Sequence, residues 1–152
     1  MIELVPAYTE KKLFRDMLKD YLETLHKYDS RIRFEETTVE DIVWYTEFIL
    51  SDGKVSGFAL TEKVDFEGKS SLLYIGEFYI VPERRNKGIG LAAVKKITEN
   101  WDGDLFLYVL DGNIRAEAFW NAVGSRLGWK CTDRPEIRRE PGCRLRIYSV
   151  GE

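Results

Sequence analysis

The ten residues Leu72 to Val81 constrain the fold more than any other stretch of the chain. They read Leu-Leu-Tyr-Ile-Gly-Glu-Phe-Tyr-Ile-Val, with Glu77 the one charge and Gly76 the one break. A strand without a polar face must lie inside a sheet that is covered on both sides. A glycine within such a strand marks a bulge or a close backbone approach. Pro82 has no N–H for the ladder and ends the run. The rest of the chain must therefore supply neighbouring strands and two layers of cover.

It does. Ile2 to Val5 is a short apolar run ending at Pro6. Leu13, Phe14, Met17, Leu18, Tyr21, Leu22 and Leu25 recur at three and four residues, which is one face of an amphipathic helix. Thr9 is placed to cap that helix, and His26 at its end reads as structural or solvated. Arg31 to Thr38 reads as a loop, with Thr38 capping a short helix through Ile42 and Val43 and Asp41 in the capping-box position. Tyr45 to Leu50 and Lys54 to Val64 flank Asp52-Gly53, which predicts a hairpin. After the central run come a helix over Gly88 to Trp101, a buried strand over Leu105 to Leu110, a helix over Ile114 to Val123, and two strands at Trp129–Thr132 and Arg144–Val150. There are no repeats and no linker, so one domain over residues 1–152 is expected. This order predicts an α/β fold with a mixed sheet and helices on both sides.

Composition narrows the function. A chain of 152 residues that is 44% hydrophobic and 32% charged builds a globular core, and its net charge of −3 argues against a general nucleic-acid binder. No apolar stretch approaches the ~20 residues of a membrane helix, and Met1 to Pro6 does not resemble a signal peptide. No membrane association is expected. Cys131 and Cys143 are read as free thiols in a reducing cytoplasm, a bridge between them being the other option. With one histidine they make no zinc site, so no metal is expected.

Against that acidic background Arg84, Arg85 and Lys87 crowd one turn, Pro82-Glu83-Arg84-Arg85-Asn86-Lys87-Gly88-Ile89-Gly90. The turn joins the central strand to a helix begun by glycine. First-turn N–H groups of a helix lack internal partners, and glycine lets an anion come close to them. The stretch lacks the Gly-Lys-Ser/Thr ending of a P-loop and the three glycines of a dinucleotide fingerprint. By itself it announces a phosphate near a helix start or a solvated basic turn.

Together with a second motif it resembles the GNAT superfamily of N-acetyltransferases. That family carries Gln/Arg-x-x-Gly-x-Gly/Ala after a strand ending in aliphatic-x-Pro. Here these are Arg85-x-x-Gly88-x-Gly90 and Ile80-Val81-Pro82. One strand later the family has Asn-x-x-Ala-x-x-Phe-aromatic, here Asn113-x-x-Ala116-x-x-Phe119-Trp120. The resemblance implies a mostly antiparallel central sheet flanked by helices and splayed between the central strand and the next, Leu105–Leu110, with Gly76 where the splay begins. It implies that acetyl-CoA is the acyl donor. Backbone groups of Phe78, Tyr79 and Ile80 would pair with the pantetheine arm. The N–H groups of Arg85, Asn86, Lys87, Gly88, Ile89 and Gly90 would hold the pyrophosphate. Asn113 would orient the arm, and Phe119 and Trp120 would pack beside it. The acceptor would be the primary amine of a small molecule or peptide, attacking the thioester directly in a ternary complex.

An amine with a pKa of ~10.4 is mostly protonated at neutral pH, so a group must take its proton. Glu77 is the candidate base, in surroundings that would raise its pKa. The alternatives are that it binds a cationic acceptor by charge, or that it points away and pairs with an arginine. Many family members carry tyrosine, a proton donor to the leaving thiolate, where this chain has Trp120. Indole cannot serve in that way. The thiolate then leaves unassisted, or Tyr79 or Tyr108 substitutes, or the domain is a non-catalytic acyl-CoA binder. Trp44, Tyr45, Tyr74 and Tyr148 are candidates for an acceptor pocket. Gly128-Trp129 comes later than the family spacing, which predicts that the connection after the last helix is longer by about one helical turn. Arg126 is placed to reach the ribose phosphate or to lie in solvent. Arg134, Arg138, Arg139, Arg144 and Arg146, interleaved with Glu136 and Glu140, read as a solvated hairpin edge. A C-terminal edge strand leaves a homodimer open.

Overall fold

The computed structural model describes residues 1–151. Seven strands form one sheet: β1 (Ile2–Pro6), β2 (Thr46–Ser51), β3 (Lys54–Val64), β4 (Leu72–Ile80), β5 (Gly103–Leu110), β6 (Lys130–Cys131) and β7 (Cys143–Val150). Their spatial order is β1-β2-β3-β4-β5-β7-β6. All neighbours are antiparallel except β4 and β5, which are parallel. The long apolar run is thus the middle strand of the sheet.

Four helices supply the cover: α1 (Lys11–His26), α2 (Glu36–Ile42), α3 (Ile89–Thr98) and α4 (Ile114–Leu127). Helix α1 buries Phe14, Met17, Leu18 and Leu22 against Phe48, Phe58 and Tyr79 on one face of the sheet. Phe14 meets Phe58 edge to face at 5.2 Å. On the opposite face Ala93 and Val94 of α3 and Trp120 and Val123 of α4 pack on Ile49, Ile75, Leu105 and Leu107. Each fully buried side chain of this kind contributes ~1.5–3 kcal/mol of transfer free energy.

The hairpin turn is as expected. Asp52 and Gly53 both have positive φ, 50° and 79°, which is the backbone twist that joins adjacent antiparallel strands. Two helix starts differ from the sequence reading. Thr9 lies in a 3-10 turn, Ala7–Glu10, and donates to the Pro6 carbonyl, so α1 begins after Glu10 with no side-chain cap. Thr38 is inside α2, which starts at Glu36 after an extended Glu35. The extra length expected in the connection after Val123 is instead helix: α4 runs on to Leu127 and stops at Gly128, φ 72°.

The C-terminal edge of the sheet is the two-residue β6, with β7 covered between it and β5. Cys131 and Cys143 are free and lie on different strands. Two of the five arginines expected in solvent are drawn inward. Arg134 bonds Asp104 at 2.8 Å and Glu136 at 3.0 Å, and Arg146 reaches Glu117, Asn121 and Tyr148. Each needs carboxylates from an adjacent element, which the local alternation of charges does not reveal.

Candidate functional site

The site starts from two irregularities in β4. Leu60 of β3 stands opposite Glu77, but the next residue, Thr61, stands opposite Ile75. Gly76 is the extra residue, a bulge. A Cβ there would come within 3.1 Å of Leu60 and 3.2 Å of the Tyr74 ring. The bulge breaks the strict alternation of faces. Ile75 and Phe78, three apart, both pack on the α3 and α4 side, while Glu77 turns to Tyr21 of α1. Were Gly76 a regular ladder residue and not a bulge, Glu77 would share the face of Ile75.

The second irregularity is the splay. Strands β4 and β5 pair only at Leu73–Leu105 and Tyr74–Phe106. Beyond these positions β4 follows β3 as far as Ile80, and β5 follows β7 as far as Leu110. The sheet divides there, leaving one backbone edge of residues 76–80 without a strand partner.

A cavity of about 720 Å³ lies at this division. Its walls include Phe78, Tyr79, Ile80, Arg85, Asn86, Gly90, Asn113, Phe119 and Trp120, so residues from both sequence motifs and the central strand meet around one space. Lys87 and Gly88 are exposed on the turn, and Ile89 is buried among Ile49, Ala59, Ile80 and Ala93. Helix α1 closes the other side with Tyr21, Thr24 and Leu25, and the turn after it with Lys27 and Tyr28. Apart from Tyr21 and Leu25 on its apolar face, nothing in the helix sequence singled these out. Trp44 and Tyr45 are exposed elsewhere, Tyr74 stacks on Phe106, and Tyr148 is buried; none of the four lines the cavity.

The basic turn is built from β3. Ser56, itself buried, is a bulge residue whose carbonyl accepts from Val81 and whose hydroxyl accepts from Arg84. Arg84 also reaches the Ser51 carbonyl, so this cation is a strut. At Gly57 a Cβ would lie 1.9 Å from the Tyr79 carbonyl oxygen, and only glycine allows β3 to lie so close. Arg85 donates to the Ile80 carbonyl at 2.7 Å and lies over the Tyr79 ring at 5.6 Å. Asn86 and Gly88 have φ of 63° and 78°. Between Arg85, whose N–H returns to Pro82, and Ala92, whose N–H reaches Gly88, the backbone donors have no backbone acceptor among the described residues. Uncommitted donors at the positive end of a helix dipole attract an anion.

Across the cavity Asn113 caps α4, its Oδ1 accepting from the Ala116 N–H at 3.1 Å. Phe119 stacks on Phe78 at 5.5 Å, and Trp120 meets both rings edge to face. Gly90 is the small residue that admits Phe119: a Cβ at this position would lie 2.7 Å from the ring.

Glu77 has no cation beside it. It accepts from the Tyr21 hydroxyl at 2.7 Å, and burial raises its pKa while that hydrogen bond lowers it. The reading in which it pairs with an arginine is therefore set aside. Of the tyrosines considered as acids, Tyr79 donates to Asp20 and Tyr108 to the Arg138 carbonyl. Burial, then Asp20, holds the Tyr79 phenol well above its ordinary range. Among the described residues no group of three or more His, Cys, Asp or Glu side chains is gathered to hold a metal ion.

Known proteins share this fold. Diaminobutyrate acetyltransferase EctA from Paenibacillus lautus, solved with L-2,4-diaminobutyric acid and coenzyme A, superposes with a TM-score of 0.68 at 10% identity, covering 98% of this chain and 93% of its own. The PaiA N-acetyltransferase of Thermoplasma acidophilum, solved with coenzyme A, gives 0.61 at 15% identity over 99% of each chain. At these identities the likeness is one of fold. In sequence, the thialysine N-epsilon-acetyltransferase of Bos taurus is 35% identical over 72 residues, 41% of this chain and 42% of the bovine protein. The family model described as Acetyltransferase (GNAT) family matches residues 10–124. That stretch includes α1, the splayed strands, the basic turn and the start of α4 up to Gly124, and on it the chain belongs to the GNAT acetyltransferase family.

Proposed function

We propose that the chain transfers the acetyl group of acetyl-CoA to the primary amine of a small molecule or peptide, by direct attack within a ternary complex. The observation that carries this is the division of β4 from β5, with uncommitted N–H donors at one end of the cavity and, behind its wall, a half-buried carboxylate bonded to Tyr21 and to no cation. The fold is shared with proteins solved with coenzyme A, one of them also holding a diamino acid, and the bovine relative is named for acetylating an amine.

In this reading the N–H groups from Arg85 to Gly90 hold the pyrophosphate, and Lys87 adds charge from the exposed turn. The unpaired edge of Phe78, Tyr79 and Ile80 takes the pantetheine arm like an added strand. Asn113 sets the start of α4 beside it, and Phe119 and Trp120 form its apolar wall. The Phe78 N–H lies on the strand edge where the thioester oxygen gathers charge and can stabilise it. Glu77 accepts the proton of the amine. A raised pKa suits that role, since a base is most effective near the operating pH. Trp120 offers no acid, so the thiolate departs without proton donation from α4.

Incubation with acetyl-CoA and a panel of small amines, diamino acids and peptide amines tests this, with free thiol and acetylated product measured together. Stoichiometric appearance of both is expected for at least one acceptor. Tight acetyl-CoA binding with no turnover across the panel would instead make the domain a non-catalytic acyl-CoA binder.

A further inference from the structure

Glu77 is not on the wall of the cavity, but Tyr21 is. The Tyr21 hydroxyl donates to Glu77 Oε1 at 2.7 Å, so its own oxygen retains lone pairs for a second partner. Burial, then Glu77, holds the phenol pKa well above its ordinary range, and the nearby Phe78 backbone N–H offsets this only in part. Phe78 is on the part of β4 that β5 has left. The hydroxyl therefore stands where the split sheet, the cavity and the carboxylate meet. The ring is fixed edge to face on Phe58 at 5.4 Å and on Tyr79 at 5.5 Å, which holds the hydroxyl in place.

We propose that Tyr21 is a catalytic residue that relays the proton of the acceptor amine to Glu77. This rests on Glu77 being the base. As an ammonium proton passes to the phenol oxygen, the phenol proton passes to Oε1, leaving a free amine, an unchanged phenol and a neutral Glu77. The amine nitrogen then forms the C–N bond at the thioester carbon. The C–S bond breaks with its electron pair going to sulfur. The second proton shed by the nitrogen as it becomes an amide neutralises the departing thiolate, and Glu77 returns its proton to solvent. The relay accounts for a base placed behind the wall, and it does not require the phenol to ionise.

The groups facing this pair are few. From α1 there are Tyr21 itself and Asp20, the latter engaged by Tyr79. From β4 there are Tyr74 and Tyr79, and β3 sets the apolar Leu60 opposite Glu77. Glu62 of β3 and Tyr108 of β5 act on Tyr74, and Arg85 acts on Tyr79. No cation contacts the carboxylate.

Tyr21→Phe keeps the ring and removes the relay. Compared with wild type and Glu77→Gln, it is expected to lower kcat by ~10²-fold or more at every pH, with acetyl-CoA affinity unchanged. The double variant is expected within about 3-fold of the slower single variant, because the two residues act as a unit. If Tyr21 only positions Glu77, its loss raises the carboxylate pKa, and the variant regains wild-type kcat at high pH; that recovery would overturn the relay. Glu77→Gln slow with Tyr21→Phe near wild type would also overturn it, while leaving Glu77 as the base. Both variants near wild type would remove the base and the relay together. Should Tyr21→Phe fail to fold, the wild-type protein suffices: single-turnover rates in mixtures of light and heavy water should bow downward, as for two protons in flight. A linear dependence would count against the relay.

Discussion

Gly90 and Glu77 show how much a single position decides. Gly90→Ala would drive a methyl group to 2.7 Å from the Phe119 ring, which is itself stacked on Phe78. Phe119 must then tilt into the cavity, and acetyl-CoA affinity is expected to fall about 10-fold, roughly 1.4 kcal/mol by calorimetric titration. Glu77 carries opposite consequences for stability and rate. Its folded pKa lies above 4.5, so the protonated form is the one the fold favours. The stabilisation is complete below the ordinary carboxylate range and is lost as pH rises through the raised value. Activity requires the ionised form and rises over that same interval. Glu77→Gln is therefore expected to raise Tm at neutral pH, by about 2–4 °C for each kcal/mol gained, while kcat falls ~10²–10⁴-fold. Thermal melts and turnover recorded across pH on both proteins check the two directions at once. The location of Glu77 in the buried strand was legible from its apolar neighbours. Its face was not, because the side to which it turns depends on whether Gly76 is counted as a bulge, and only the register against β3 decides that.

At the scale of elements, the long periodic segments were readable and their ends less so. Helix α1 follows from seven apolar positions at helical spacing, but its start does not. Thr9 has the right chemistry for a cap, yet its hydroxyl is spent on the Pro6 carbonyl in the preceding turn. Asn113 is the cap that the structure uses, and Asn113→Ala is expected to destabilise the protein by ~1 kcal/mol and to weaken acetyl-CoA binding, both visible in melts with and without ligand. The segment between β6 and β7 has no helix above it. It covers Phe106 and Ile147 with Ile137 and is held by Arg134, which also reaches Ser70 at 3.1 Å from the β3–β4 loop. Arg134 is only 16% exposed, and Asp104 20%, so this pair is partly shielded from water. Arg134→Ala is expected to cost ~1–3 kcal/mol, more than an exposed ion pair would, measured as the denaturation midpoint in urea. Sequence alternation of Arg and Glu pointed to solvent here, because the decisive partners come from β5 and another loop.

For the molecule as a whole, the two motifs specify a coenzyme but only one half of a reaction. The donor side is written in backbone: a glycine turn, a split sheet and a bulge, each with a local sequence mark. In the proposed function the acceptor side lies in side chains that α1 brings over the sheet, and the pattern that folds α1 is indifferent to which of them line a cavity. Ligand linkage follows from the donor side. Acetyl-CoA at 100 times its Kd should stabilise the fold by ~2.7 kcal/mol, and the shift in Tm should shrink in Gly90→Ala. The position of bound acetyl-CoA tests the proposed site most directly. In a crystal structure of its complex, the pyrophosphate should accept from N–H groups between Arg85 and Gly90, with the thioester between β4 and β5 and its oxygen within hydrogen-bond reach of the Phe78 N–H. A bound coenzyme whose thioester lies outside that division, or one that leaves the turn donors empty, would contradict it.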